Sequence, residues 1–167
     1  MSIRVEHISY IYGKGSPFEK TALDDVDLTI EKGEFIGIIG HTGSGKSTLI
    51  QHLNGLIHPT CGKVTIDGVD LAEKSKAAVA KRHSVGMVFQ YPEHQLFEET
   101  VAKDIAFGPM NLRCDEEEAG KRVKSAMKFA GLDYDTFAGR SPFRLSGGQQ
   151  RRVAIAGVIA MHPDFLI

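Results

Sequence analysis

Residues 40–48 read Gly-His-Thr-Gly-Ser-Gly-Lys-Ser-Thr, the most informative stretch of the chain. They fit the pattern Gly-x-x-x-x-Gly-Lys-Ser/Thr, in which a glycine-rich loop surrounds an anion. Residues 35–39 are apolar on both faces, which predicts a buried strand of a parallel sheet. Residues 47–56 predict an amphipathic helix, whose apolar stripe consists of Leu49, Ile50, Leu53 and Leu56. A strand, this loop and a helix, in that order, are what a phosphate-binding loop requires.

Each residue type in the loop has a chemical role. Glycines let the backbone curl so that several N–H groups point at one anion, and the following helix adds its positive end. Lys46 can neutralise β- and γ-phosphate charge, and the Ser47 hydroxyl can ligate Mg²⁺. The sequence therefore predicts a nucleotide site made of Gly40, His41, Thr42, Gly43, Ser44, Gly45, Lys46, Ser47 and Thr48. The alternative is a glycine-rich turn with a solvated lysine.

Three other segments predict an antiparallel layer with one face in water. Residues 3–6 and 26–30 alternate apolar and polar side chains, as half-buried strands do. Residues 63–66 lead into Asp67-Gly68, a dipeptide that is typical of a tight hairpin turn.

Residues 85–89 and 165–167 are apolar on both faces and predict two more central strands of a parallel sheet. The chain stops inside the second run. We therefore expect an N-terminal piece of a longer protein, the alternative being a genuine terminus on an edge strand.

Two further helices carry signals at their ends. Residues 115–118 read Asp-Glu-Glu-Glu, which predicts a capped helix start, and Gly131 predicts its end. Ser146 and Gln149 predict a capping box at the start of another helix, which has a packing face of small residues.

Composition limits the class of protein. The chain has 167 residues, of which 42% are hydrophobic and 25% charged, with a formal net charge of −1, as for one soluble globular domain. This balance argues against a nucleic-acid partner held by bulk charge. No apolar run approaches the roughly 20 residues that a membrane-spanning helix needs. Cys61 and Cys114 match no metal-ligand spacing, and we expect reduced thiols.

A second motif, Leu145-Ser-Gly-Gly-Gln149, predicts another anion-binding helix start, because bare glycine amides follow a capping serine. Taken alone, it is equally an ordinary helix cap. Together with the loop at residues 40–48 and the Gln-Arg-Arg-Val-Ala-Ile-Ala that follows, it resembles the nucleotide-binding domain of ATP-binding cassette (ABC) proteins, over essentially the whole chain.

The resemblance implies an α/β fold with a P-loop NTPase (RecA-like) core sheet, an N-terminal antiparallel β-subdomain and a helical signature-motif subdomain. Residues 1–167 would be a single ABC ATP-binding domain that is incomplete at its C-terminus. Residues 1–97 and 144–167 would form the core and β-subdomain, and residues 98–143 the helical subdomain.

The resemblance also implies roles for single residues. ATP and Mg²⁺ would be the ligands. Gln90 would help to hold Mg²⁺, together with Ser47, and the attacking water, and it would couple the site to a membrane subunit. Tyr12 would stack on adenine, with Tyr10 as the competing candidate. The signature residues Leu145, Ser146, Gly147, Gly148 and Gln149 would contact the ATP of a partner subunit.

The catalytic acids of the family would lie beyond residue 167. In the family, the strand that starts near Phe165 ends in an aspartate, which a glutamate general base follows. Asp164 precedes that strand and is not this acid. The chain as given would therefore lack the general base and hydrolyse ATP poorly.

Within ABC proteins, residues 89–101, 104–109 and 153–161 are similar to the ATPase subunits of energy-coupling factor (ECF) importers, which take up vitamins or transition-metal ions. This implies a peripheral subunit at the cytoplasmic face of the membrane. Its partners would be a second, related but different ATPase chain, a membrane scaffold (T) subunit and a substrate-capturing (S) subunit. Tyr91, Leu96 and Phe97 would help to form the groove that receives the scaffold.

Two alternatives stay open. A soluble ABC ATPase of translation or DNA repair is expected to carry coiled-coil insertions or basic arms, and neither occurs between Lys46 and Ser146. A nucleotide-sensing interaction module would bind ATP without turnover.

Overall fold

The computed structural model describes residues 1–167, which pack as two compact units, Met1–Val85 and Gly86–Ile167. The subdomain boundaries expected at residues 98 and 143 stay a prediction. No helix combines the length and the apolar character that crossing a bilayer demands.

The first unit contains a four-stranded sheet in the order β2-β1-β3-β4. Its strands are antiparallel and comprise β1 (Ser2–Tyr12), β2 (Lys20–Glu31), β3 (Cys61–Ile66) and β4 (Val69–Asp70). Ile3, Val5 and Ile8 of β1 are buried. A register shift between Val5 and Ile8 replaces the two-residue alternation with a step of three, so that Ile8 still faces the core. The predicted antiparallel layer and its Asp67-Gly68 turn are confirmed.

Two helices complete this unit, α1 (Lys46–Leu53) and α2 (Lys76–His83). The predicted helix after the loop is confirmed, but it ends at Leu53 and not at residue 56. Of its predicted apolar stripe, Leu53 is buried, and Leu49 and Ile50 are partly buried. Gly55, with φ of 71°, follows the last turn as a left-handed stop, and Leu56 is exposed. Thr48, His52 and Leu53 are the buried residues of α1.

The strand predicted at residues 35–39 is also wrong. These residues have no regular structure, and Phe35 and Ile39 are almost fully exposed. A strand that is apolar on both faces needs neighbouring strands, and the four paired strands of this sheet pair only with one another.

The remaining elements run from β5 (Val85–Gly86) to β6 (Phe165–Leu166). Between them lie two 3₁₀ turns, Pro92–Gln95 and Pro142–Arg144, and four helices: α3 (Val101–Asn111), α4 (Glu116–Phe129), α5 (Tyr134–Phe137) and α6 (Gly147–Ala160).

The strands predicted from the two late apolar runs pair with each other. The Ile167 N–H donates to the Gly86 carbonyl at 2.8 Å, and the Val88 N–H donates to the Ile167 carbonyl at 2.7 Å. Ile167 thus bonds to two residues, Gly86 and Val88, that flank the residue opposite it, which is the hydrogen-bond pattern of parallel strands. The two strands and their parallel direction are confirmed. Their predicted central position and the predicted length of the first run are wrong, because each strand has two residues and their sheet contains no third strand.

The core of the second unit lies where α3, α4 and α6 meet. The buried apolar residues that α3, α4 and α6 contribute are Val101, Ile105, Val123, Ala126, Met127, Val153, Ala156 and Ala160. The predicted cap of α4 is present, since Asp115 accepts a hydrogen bond from the Glu118 N–H at 2.8 Å. The predicted small-residue face of α6 is likewise confirmed, because Ala156 and Ala160 are fully buried.

Candidate functional site

The loop at residues 40–45 leads into α1 through a glycine that no other residue can replace without strain. Gly45 is the residue before the helix and has φ of 87°, in the left-handed region. A methyl group at this position would lie 2.5 Å from the carbonyl oxygen of Ala22 in β2. Close contact with β2 therefore fixes where the loop ends and where α1 begins.

The N-terminus of α1 is open. No side chain caps it, and its first turn contains no acidic residue. The first N–H groups of a helix carry partial positive charge and seek an acceptor, so this end favours an anion. The exposed Ser47 hydroxyl lies in the same turn.

Lys46 folds back onto the loop. Its Nζ donates to the carbonyl oxygens of Gly40 at 2.8 Å and His41 at 2.9 Å. These acceptors are neutral, and Lys46 forms an ion pair with no carboxylate. The loop thus retains an uncompensated positive charge beside the open helix end, an arrangement suited to a phosphate group.

Of the two tyrosine candidates, Tyr12 is the more accessible. Its side chain is 43% exposed, whereas that of Tyr10 is half-buried behind it. The Tyr12 hydroxyl lies 3.2 Å from Oγ1 of Thr48, so the structure brings Tyr12 to the last residue of the predicted site. The sequence does not predict this contact, because nothing in the local pattern connects β1 with α1.

The signature motif begins α6 with the predicted capping box. The Ser146 N–H donates to Oε1 of Gln149 at 2.9 Å, and the Gln149 N–H donates to Oγ of Ser146 at 3.4 Å. Gly147 and Gly148 are exposed, and a methyl group on either would meet open space. Leu145 is half-buried against the core of the unit. The two glycine amides remain approachable from solvent.

Gln90 is exposed in an irregular segment after β5. The 3₁₀ turn that follows carries Glu93, whose two carboxylate oxygens accept from Nε of Arg151 in α6 at 3.2 and 3.1 Å. The hydrogen bond from Arg151 lowers the pKa of the Glu93 carboxyl. This ion pair joins the segment after Gln90 to the signature helix, and no sequence signal indicated it.

The apolar residues after Gln90 divide into two kinds. Tyr91 and Phe97 are exposed, and the Phe97 ring packs edge-on against Phe107 at 4.8 Å between centroids. Leu96, at 7% exposure, belongs to the core and is not available to a partner, which corrects the expectation for that residue.

One further group of possible metal ligands comprises His7, Asp25 and Asp27, whose ligand atoms lie within 4.8 Å of one another. All three residues are exposed. His7 Nδ1 lies 2.9 Å from Asp25 and 3.2 Å from Asp27, and the hydrogen bond with Asp25 raises the pKa of His7. Ion pairing of a protonated His7 accounts for this arrangement.

A family model described as ABC transporter matches residues 23–167. The chain belongs to the ABC transporter family. Solved ABC cassettes share its fold: the structure of cbiO1 from Clostridium perfringens, described as part of the ABC transporter complex cbiONQ, is 38% identical with a TM-score of 0.82. This comparison covers 98% of the present chain and 63% of cbiO1. The dimeric bacterial ABC transporter cassette MJ0796 is 34% identical with a TM-score of 0.83, covering 98% and 72% of the two chains.

Two curated relatives are named energy-coupling factor transporter ATP-binding protein EcfA2. That of Clostridium tetani is 59% identical and that of Clostridium acetobutylicum 61% identical, each over all 167 residues. The chain spans 58% of the length of each relative. The expected α/β P-loop NTPase fold with an antiparallel β-subdomain, and the expected similarity to ECF ATPase subunits, are therefore confirmed.

Proposed function

We propose that the full-length protein is the ATP-binding and ATP-hydrolysing subunit of an ECF importer for a vitamin or a transition-metal ion. The observation that supports this most is the open, uncapped start of α1 beside Lys46, whose charge no carboxylate neutralises. The names of the EcfA2 relatives agree with this function.

The loop at residues 40–48 binds the triphosphate. Lys46 exchanges the neutral carbonyls of Gly40 and His41 for phosphate oxygens, while the amides at the start of α1 donate to the same anion. Ser47 and Gln90 offer a hydroxyl and an amide oxygen, the hard ligands that Mg²⁺ prefers, and both are exposed. When bound, Mg²⁺ neutralises charge on the phosphates. Tyr12 stacks on the adenine ring.

The signature motif acts in trans, on the ATP of a second and related ATPase chain. Ser146, Gly147 and Gly148 present exposed backbone and a hydroxyl at the start of α6, flanked by Leu145 and Gln149. An anion that reaches these amides from the partner's loop favours a closed dimer, because it binds that state more tightly than the open one. Gln90 orients the attacking water, and the general base is supplied by residues beyond 167.

The membrane partners are a scaffold (T) subunit and a substrate-capturing (S) subunit, with this protein peripheral at the cytoplasmic face. The exposed Tyr91 and the Phe97–Phe107 pair offer apolar surface to the scaffold. The Glu93–Arg151 ion pair provides a mechanical link from that surface to the signature helix.

The decisive experiment is Lys46→Ala in the full-length protein, assembled with its membrane subunits. ATP hydrolysis should fall about 100-fold or more, as when a positioned donor to the reacting group is lost, and uptake should stop. Lys103→Ala is the matched control, since Lys103 pairs with Glu99 on an exposed helix face. Hydrolysis and uptake that survive Lys46→Ala would refute the site. Failure to co-purify with a membrane scaffold would refute the transport role.

A further inference from the structure

Four side chains connect β1 to α1 in the first unit: Tyr10, Tyr12, Thr48 and His52, here called the tyrosine link. The Tyr10 ring packs edge-on against Tyr12, with centroids 4.8 Å apart and planes at 89°. It also packs edge-on against His52, at 4.9 Å and 75°. Such edge-to-face pairs have a preferred geometry, so each ring restricts the tilt of the next.

His52 is the anchor of the link. It is 1% exposed, and its Nδ1 lies 2.7 Å from the Thr48 carbonyl oxygen. A carbonyl only accepts, so Nδ1 carries the hydrogen. Burial lowers the pKa of His52, which favours the neutral ring, and its Nε2 is buried without a hydrogen-bond partner. The hydrogen bond at Nδ1 and the contact with the Tyr10 ring fix the orientation of His52 in the core of the unit.

Thr48 is held from two sides. Its carbonyl accepts from His52, and its Oγ1 lies 3.2 Å from the hydroxyl of Tyr12. Thr48 is 7% exposed and is the last residue of the loop motif. The Tyr12 ring, which is the exposed end of the link, is thus tied to the phosphate loop by its hydroxyl and supported along its edge by Tyr10.

We propose that Tyr10 and His52 are positioning residues, which set the place and tilt of the Tyr12 ring for stacking on a nucleotide base. They do not touch the nucleotide themselves. This inference rests on the proposed function, because it assumes that the loop at residues 40–48 holds the triphosphate. The site then has two parts. Residues 40–48, here called the phosphate grip, hold the triphosphate, and the Tyr12 ring, here called the base platform, is supported by the rest of the tyrosine link.

The division makes a measurable distinction between two probes, ATP and inorganic tripolyphosphate. Tripolyphosphate engages only the phosphate grip, whereas ATP engages both parts. In the full-length protein, Tyr10→Leu should lower the affinity for ATP about 3- to 10-fold, the loss expected when an edge-to-face aromatic pair is removed. The affinity for tripolyphosphate should stay unchanged. Tyr10→Phe keeps the ring and should match the wild type for both probes.

Isothermal titration of these variants with both probes separates the outcomes. A loss for ATP alone, rescued by Tyr10→Phe, supports the inference. An equal loss for both probes, or no loss for either, overturns it. Should Tyr10→Leu fail to fold, His52→Leu removes the ring against which Tyr10 packs, and an unchanged ratio of the two affinities would overturn the inference. A wild-type protein that binds neither probe would instead refute the proposed function.

Discussion

The two helix starts that the sequence marks as anion sites are built differently. At α1 the preceding residue is a glycine with φ of 87°, and no side chain caps the helix. At α6 the side chains of Ser146 and Gln149 form a capping box, in which each accepts a hydrogen bond from the backbone N–H of the other. The first start has no side-chain partner for its backbone N–H groups, whereas the second is capped by its own side chains and exposes Gly147 and Gly148. Similar glycine-rich sequences therefore produce an uncapped helix N-terminus at α1 and a capped one at α6.

The same substitution at the two starts should have opposite effects, and the larger is at α1. Gly45→Ala places a methyl group 2.5 Å from the Ala22 carbonyl in a left-handed conformation. The free energy of unfolding should fall by about 2 kcal/mol or more. Nucleotide affinity should fall with it, because the loop can no longer end at this point. Chemical denaturation and ATP titration measure both effects, and an unchanged stability would show that the contact with β2 is not tight.

Removal of a hydroxyl tests the difference in capping. Ser146→Ala deletes the cap of α6 and should lower the free energy of unfolding by about 1 kcal/mol. Ser47→Ala at α1 removes no cap, so without nucleotide its stability should stay within about 0.5 kcal/mol of the wild type. Equal losses at the two serines would contradict the comparison.

Gly148→Ala should be neutral or stabilising. The added methyl group meets open space inside a helix, where alanine is favoured over glycine by about 0.5 kcal/mol or somewhat more. ATP binding by the protein alone should not change. Under the proposed function, hydrolysis in the assembled complex should fall, because the methyl group would block the phosphate of the partner's ATP. A thermal melt and an ATPase assay of the same preparation test this. Unchanged hydrolysis would count against the signature site.

The smallest effect concerns pH. Burial lowers the pKa of His52 below its ordinary value of 6.5, so between the two values the unfolded chain binds more protons than the folded one. Stability therefore falls as the pH drops below about 6.5. Replacing His52 by phenylalanine should flatten this part of the profile. The exposed His7 has the opposite effect, because its hydrogen bond with Asp25 raises its pKa and its protonation therefore favours the folded state. Removal of His7 should make the loss of stability at acidic pH steeper.

Sequence alone predicted what depends on neighbours along the chain. The Asp115 cap and the Ser146 box are set by residues within a few positions of one another, and both have the expected local form. The strand at residues 35–39 failed because an apolar run shows that burial is favourable, not that a pairing strand is available. The contacts of Tyr12 with Thr48 and of Glu93 with Arg151 depend on how distant elements pack, which no local pattern encodes.

The position of the Lys46 ammonium on the carbonyl oxygens of its own loop affects the rate at which an anion associates. Because neutral dipoles of its own loop hold it, the Lys46 ammonium keeps its full positive charge beside the start of α1. An arriving polyanion is attracted by this charge, so association should be fastest in dilute salt and should slow as counter-ions screen the attraction over about 10 Å at 0.1 M ionic strength.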